Sequence, residues 1–418
     1  MSALKKLSVI TLWLSSVVAN ADDSLSLQQA LEIALNNDAL IAGLTAKQDA
    51  WNQLGYASQT WDDPKLRFGA QAVPLDSFDL QQEPMTQLVV GYQQMFPRGD
   101  KLKNNSAVMQ ANAGVELGKV ELRKREVIRH VKKSWYEVWY RQQAIKIIKS
   151  NRKIFEKMLD INQSFYASGR ADQQSVVQAE LDISLLDDKL QTMQSELLVS
   201  QESLAKWLAL ESVHVNEDLP EESINIIQSI DNLKLDLKKH PKIQQANEKL
   251  NMHKSALALA QDNYSAQWGL DVRYGLRQGE NTDGSDRADF LTAMVTVDLP
   301  VFTEQKQDRH VAASRSQLKS AHYQKIDIER ELLKQLKQTH VRLIKFKQRL
   351  SLYTKKINPQ AKQNSEVAMR GYQSGVVDFL TLSKAQVTEF NTNLAELKLK
   401  YQFNNTMSDL VFLVGDLK

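Results

Sequence analysis

Apolar residues along most of this chain recur at alternating spacings of three and four. Val120, Val127, Val131, Ser134, Val138, Ile145 and Ile148 fall on one such seam. After a break at Gly169, the spacing resumes through Leu186, Leu190, Met193, Leu197, Ser200, Leu204 and Trp207. It returns in Leu332, Leu336, Thr339, Leu343, Phe346, Leu350 and Tyr353, and again in Val387, Phe390, Leu394, Leu397, Tyr401, Asn404, Ser408 and Val411. A repeat of about 3.5 residues predicts long helices supercoiled left-handedly along a narrow seam. Their other faces are rich in Glu, Lys, Gln and Arg and suit water or other polar helices. Proline, which breaks helix interiors, is missing from Pro97 to Pro220, from Pro300 to Pro359 and after Pro359. A single helix over residues 101–167 would be about 100 Å long at roughly 1.5 Å per residue. A compact domain has no use for such a rod, so something must be spanned.

Four other stretches alternate with a period of two, which predicts strands at about 65–73, 86–96, 268–277 and 289–299. Leu66, Phe68, Ala70 and Ala72 alternate with Lys65, Arg67, Gly69 and Gln71. Leu88, Val90 and Tyr92 alternate with Gln87, Gly91 and Gln93, although Val89 blurs that pattern. Trp268, Leu270, Val272, Tyr274 and Leu276 alternate with Asp271, Arg273 and Arg277, and Leu291, Ala293, Val295, Val297 and Leu299 with Thr292, Thr296 and Asp298. Strands of about ten residues with one apolar and one polar face match a membrane barrel with a wet lumen. Two water-soluble hairpins packed on the helices would show the same alternation. Four strands cannot close a barrel, and lipid does not tolerate open edges. If the strands cross a membrane, several chains must therefore share one barrel.

The chain also repeats itself at an offset near 206 residues. Tyr166-Ala-Ser168-Gly169-Arg170-Ala-Asp172 matches Tyr372-Gln-Ser374-Gly375-Val376-Val-Asp378. Each copy reads helix, two strands, long helix, Ser-Gly turn, long helix. The copies span 22–210 and 241–418, with a linker at 211–240. Gly169 and Gly375 suit the left-handed position between helices, and Asp172 and Asp378 suit the N-cap that follows.

Composition narrows the function. Met1 to Ala21 reads as a secretory signal peptide: Lys5 and Lys6, an apolar stretch from Leu7 to Val18, then Ala19-Asn20-Ala21. The whole chain carries 53 basic and 50 acidic residues, so without Lys5 and Lys6 the balance is 51 to 50. Near-neutral charge argues against a nucleic-acid partner. Cysteine is absent, which removes disulfides, thiol nucleophiles and acylated cysteine anchors. Beyond the signal peptide, no apolar run approaches the ~20 residues of a membrane helix. The seven histidines are scattered and the ten methionines form no cluster, so no metal site or cofactor is expected. No nucleotide-binding, zinc-protease or hydrolase signature occurs, so an enzyme is not expected.

Together these features resemble the TolC-like outer-membrane efflux family. The residues that carry the resemblance are Leu27-Gln-Gln-Ala30-Leu31-Glu-Ile-Ala34-Leu35, Gln93-Gln94-Met95-Phe96-Pro97, Val297-Asp-Leu299-Pro300 and the two Y-x-S-G-x-x-D repeats, all in duplicated order. The tract Asp76–Gln94 looks most like the heavy-metal branch, the CzcC and CusC type. The resemblance implies a mainly α protein with transmembrane β. As a homotrimer it would build a shared twelve-stranded outer-membrane barrel that continues as a coiled-coil tunnel through the periplasm. A mixed equatorial region would correspond to residues 211–240, the neighbourhood of Pro359 and the C-terminus.

By the same resemblance, Ser168, Gly169, Arg170, Ser374, Gly375 and Val376 would form the periplasmic tips where an adaptor (membrane fusion) protein docks. An inner-membrane RND-type pump would supply the energy. The chain would conduct solutes passively, heavy-metal cations in the first instance and drugs or a secreted polypeptide in the alternative. Asp172 and Asp378 stand open between a tunnel gate and plain helix caps. Many metal-branch relatives carry a lipidated N-terminal cysteine, so here barrel insertion would be the only anchor. From another class, a soluble periplasmic coiled-coil adaptor remains a competitor, although two equivalent copies favour the duct.

Overall fold

The computed structural model describes residues 24–219 and 229–415; the signal-peptide stretch lies outside them, as does part of the 211–240 linker. The chain forms two compact units. The first takes residues up to Asn37, 127–226 and 343–408; the second takes 38–126, 227–342 and 409 onward.

The first unit holds α1 (Leu27–Asn37), the later part of α3 (Lys101–Ala167), α4 (Gln173–Leu208), a π-helical turn (Tyr353–Ile357), α8 (Asn358–Gln373) and most of α9 (Phe379–Val414). The sequence seams are its core. Val127, Val131, Val138 and Ile148 are buried on α3, as are Leu186 and Leu204 on α4 and Phe390 and Leu397 on α9. Burying such a side chain contributes about 1.5–3 kcal/mol. The buried face of α3 is wider than a heptad seam, however. Trp135, Tyr136, Trp139 and Tyr140 are buried beside it, whereas Ser134, placed on the seam by spacing, is only half-buried. The extra width has a cause. Trp135 Nε1 donates to the Leu25 carbonyl at 3.1 Å, and Trp139 Nε1 donates to the Glu217 carbonyl at 2.8 Å. Leu25 and Val215 are themselves joined by a parallel bridge. The helix thus packs against irregular chain as well as against other helices.

The second unit holds α2 (Ala39–Ala57), the first part of α3, α5 (Ile230–Leu237), α6 (Pro241–Gln261), most of α7 (Gln307–Leu352) and the strands. Asp38 caps α2 by accepting from the Ile41 N–H at 2.9 Å, and Arg123 Nη2 donates to its other oxygen at 2.8 Å. His240 caps α6, with Nδ1 accepting from the Lys242 N–H at 3.1 Å and Pro241 in the first turn, where its missing N–H costs nothing.

Strands β1 (Lys65–Gln71), β2 (Gln87–Phe96), β3 (Gln267–Leu276) and β4 (Phe290–Asp298) form one antiparallel sheet in the order β1-β2-β3-β4. β1 stops at Gln71, short of the expected 73, because Ala72 adopts a left-handed φ of 56°. In copy two, the seam from Leu332 to Tyr353 does not continue as a plain α-helix. The Asn358 N–H bonds to the Tyr353 carbonyl five residues back, giving the π turn. Pro359, in the first turn of α8, has no N–H to offer the preceding turn, which accounts for the widening.

Candidate functional site

The two Ser-Gly turns, far apart in sequence, lie side by side in the first unit. Each ends a long helix in the same way. Gly169 and Gly375 have φ of 72° and 75°, values that a side chain would oppose. The Gly169 N–H bonds to the Tyr166 carbonyl and the Gly375 N–H to the Tyr372 carbonyl, both at 3.0 Å. Then the Arg170 and Ala171 N–H groups reach back to the Phe165 carbonyl, and the Val376 and Val377 N–H groups to that of Gly371. Both helix ends therefore have partners for their last carbonyls.

The following aspartates are caps. The Ser175 N–H and hydroxyl donate to Asp172 Oδ1 at 2.8 and 2.6 Å, and the Thr381 N–H donates to Asp378 Oδ1 at 2.8 Å. Hydrogen bonds from Ser175 hold the Asp172 carboxyl below its usual range, and those from Thr381 do the same for Asp378.

Beneath the turns, Met158, Ala179, Ala368, Tyr372, Phe379, Leu382 and Ala385 form one buried cluster. Tyr372 ties the copies together: its hydroxyl donates to Asn162 Oδ1 at 2.7 Å, and its ring lies 5.4 Å from Phe165 and 5.7 Å from Phe379. Burial, with the Asp172 charge adding to it, pushes the Tyr372 hydroxyl pKa up. Arg170 lies over the Phe165 ring at 4.2 Å. Between the turns is an open hollow of about 550 Å³, bordered by Gly169, Arg170, Asp172, Gly375, Val376 and Asp378. Ser168 and Ser374 sit in the same two turns, their hydroxyls donating to carbonyls of the helix behind them.

The sheet, in the second unit, has its faces the wrong way round for water. Register places Leu66, Tyr92 and Val272 in one row, and Phe68, Val90, Tyr274 and Leu291 in the next. The face they build is the uncovered one: Phe68 is 75% exposed and Leu291 74%. Gly269, Asp271 and Gly275 on the opposite, polar face are buried. A soluble sheet hides its apolar side; here the apolar side is uncovered, and the buried positions lie on the polar side of the central strands. The alternation thus belongs to one sheet joined through β2 and β3, with no second, separate hairpin. Val89, the residue that blurs the pattern, faces the polar side opposite Gly69 and Gly275, where small neighbours leave it room.

Residues 232–416 match the family described as "Outer membrane efflux protein". That segment covers the second copy. Likeness to solved structures runs through both. The chain is similar to CusC (TM-score 0.79, 14% identity, 94% of this chain and 92% of that one). It is also similar to the outer membrane protein VceC of Vibrio cholerae (TM-score 0.75, 15% identity, 93% and 96%) and to the open state of the outer membrane channel MtrE of Neisseria gonorrhoeae (TM-score 0.74, 13% identity, 93% and 88%). No curated protein sequence matches. The fold class expected from sequence, long helices and four strands in two copies, is the fold these channels have.

Two parts of the site were missed by periodicity. The Tyr372–Asn162 bond joins residues that show no pairing pattern. The Arg67, Asp271 and Arg273 cluster on the polar face was visible only as alternating polar positions, because its members lie on strands about 200 residues apart.

Proposed function

We propose that the chain is the outer-membrane channel of a tripartite efflux system, passing solutes without binding them specifically. The observation that carries this reading is the sheet with its apolar face uncovered and all its charged residues gathered on the other face. Lipid suits the first face and a wet lumen the second. β1 and β4 leave open edges, and in lipid such edges must be paired. Three copies joined edge to edge give a twelve-stranded cylinder, within the known range of such barrels. The family match over the second copy and the fold shared with CusC, VceC and MtrE support the same reading.

In this account the copies at 22–210 and 241–418 each supply half of the protomer, residues 1–21 direct export, and the helices form a tunnel in the periplasm. The tips are the paired turns: Ser168, Gly169 and Arg170 beside Ser374, Gly375 and Val376. An adaptor protein docks there, and an RND-type pump behind it supplies the energy. Asp172 and Asp378 act as caps of the helices that follow the turns. Heavy-metal cargo rests on the tract Asp76–Gln94 and on the likeness to CusC; drugs or a polypeptide would use the same duct. A soluble adaptor has no use for an uncovered apolar sheet.

Fractionation tests the proposal. The protein should appear in detergent extracts of the outer membrane as a heat-labile oligomer. Recovery as a soluble periplasmic monomer would overturn it.

A further inference from the structure

The four strands hold five charged residues, Lys65, Arg67, Asp271, Arg273 and Asp298, and the register sets all five on the polar face. Asp298 pairs with Arg98 at 3.3 Å. The other four gather across β1, β2 and β3. Lys65, Gln93 and Asp271 share one row; Arg67, Gly91 and Arg273 share the row two residues on. Asp271 accepts from Arg273 Nε at 2.7 Å and Nη2 at 3.1 Å, and from Arg67 Nη1 at 3.4 Å. Arg67 Nη2 donates to Gln93 Oε1 at 2.5 Å.

Depth decides what this cluster presents. The Asp271 side chain is 10% exposed, against 50% for Arg67 and 32% for Arg273. Lys65 is exposed as well. The acid thus lies underneath, holding two guanidinium groups in place, and the cations face outward. Gly91 makes room for them. A Cβ there would meet Arg273 Cγ at 3.2 Å and Arg67 Cβ at 3.7 Å, so a side chain would press the two arginines apart.

We propose that this cluster is a collar that selects for anionic solutes. It rests on the function proposed above, which makes the polar face the wet inner wall of a barrel and repeats the cluster once per copy. Three cations against one covered carboxylate leave two net positive charges in each chain. Rings of Arg and Lys in a water-filled pore favour anions and repel cations. Low-dielectric walls focus that field. Asp62 and Asp63 precede Lys65, and the loop beyond the far end of β3 carries Asp283 and Asp286, but all four are exposed, and bulk salt screens them within about 8 Å. The permeant class is therefore organic or inorganic anions. A heavy metal would cross as an anionic complex in preference to a bare divalent cation.

The test is the reversal potential of the purified full-length protein in a planar bilayer under a potassium chloride gradient. Chloride should be preferred over potassium. Arg67→Gln with Arg273→Gln should cut that preference about threefold or more, and Arg67→Lys with Arg273→Lys should retain it. Tripolyphosphate added on the loop side should block the current of the unaltered protein and spare the glutamine variant. Channels that conduct but prefer potassium, or keep their preference after both substitutions, overturn the collar while leaving the duct intact. Failure to form both channels and a detergent-stable oligomer overturns the duct, and the collar with it.

Discussion

Copy one covers residues 101–167 with a single α-helix, whereas copy two covers the equivalent residues 307–373 with α7, a π turn and α8. The outer boundaries nonetheless agree to the residue. Lys101 and Gln307, Ala167 and Gln373, Gln173 and Phe379, and Leu208 and Val414 are each 206 apart. The caps agree too, Asp172 with Asp378. What differs is the interior. Arg152 in copy one reaches Asp187 at 2.6 Å and also Glu156. Its counterpart Asn358 follows the π turn and donates to Glu396, which also accepts from Thr354 at 3.2 Å and pairs with Lys400 at 3.0 Å. Turns and caps are local devices and keep their places after duplication. Helix interiors answer to their neighbours, and the two copies have different ones.

The largest effect should come from breaking what the copies share. Gly375→Pro removes an N–H that bonds to the Tyr372 carbonyl and forbids a φ of 75°. It should abolish export while leaving membrane insertion intact, and so should a bulky charged residue at Ser374. Drug or metal susceptibility, measured beside outer-membrane content, checks this, and undiminished export would remove the turns from docking. Next comes the shared apolar cluster. Leu382→Ala, at a fully buried site, should cost about 2–5 kcal/mol. Val176→Ala, 206 residues earlier and half-buried, should cost about 1 kcal/mol. Thermal unfolding in detergent separates them.

Smaller again is the hydroxyl pair. Tyr372→Phe strips the buried Asn162 of its donor and should cost about 1–2 kcal/mol. Tyr166→Phe, at the exposed equivalent, should stay within about 0.5 kcal/mol.

The subtlest contrast is one of pH. The cap of α2 is Asp38 and that of α6, 202 residues on, is His240. Burial, helped by the Arg125 and Lys242 charges, pushes the His240 pKa down to about 3. The unfolded chain then binds more protons than the folded one between about 6.5 and 3, so stability falls as pH drops through that window. Burial alone would raise the Asp38 carboxyl, but the Arg123 hydrogen bond and charge and the Ile41 N–H hold it below its usual range. Its contribution is present above the ordinary carboxylate value and lost only in stronger acid. Melting temperature should therefore drop between pH 7 and pH 5, and His240→Asn should flatten that drop while Asp38→Asn leaves it in place.

Much of this architecture was legible in the residues, for reasons that can be named. Strand positions follow from a strict period of two, so Lys65, Gln87, Gln267 and Phe290 begin strands within a residue or so of expectation. The two turns announce themselves through Gly169 and Gly375, whose backbone angles few other residues adopt. Helix interiors were harder to read. Trp135 and Trp139 are buried because carbonyls of Leu25 and Glu217, remote in sequence, wait for their indole N–H groups. The π turn at Tyr353–Ile357 needed Pro359 to be weighed as an interior residue of a running helix and not as an end. The charged cluster on the sheet needed the register of β1 and β3 across β2, which alternation within one strand cannot supply.

The central claim is that open sheet edges of separate copies join in lipid. Since the chain has no cysteine, engineered thiols report without background. Ala70→Cys on β1, combined in turn with Leu291→Cys, Ala293→Cys and Val295→Cys on the same face of β4, should give oxidative cross-links between copies in intact cells. The bands should stop at three chains. A ladder that runs past three, or no band above the monomer for any pair, would contradict the shared barrel.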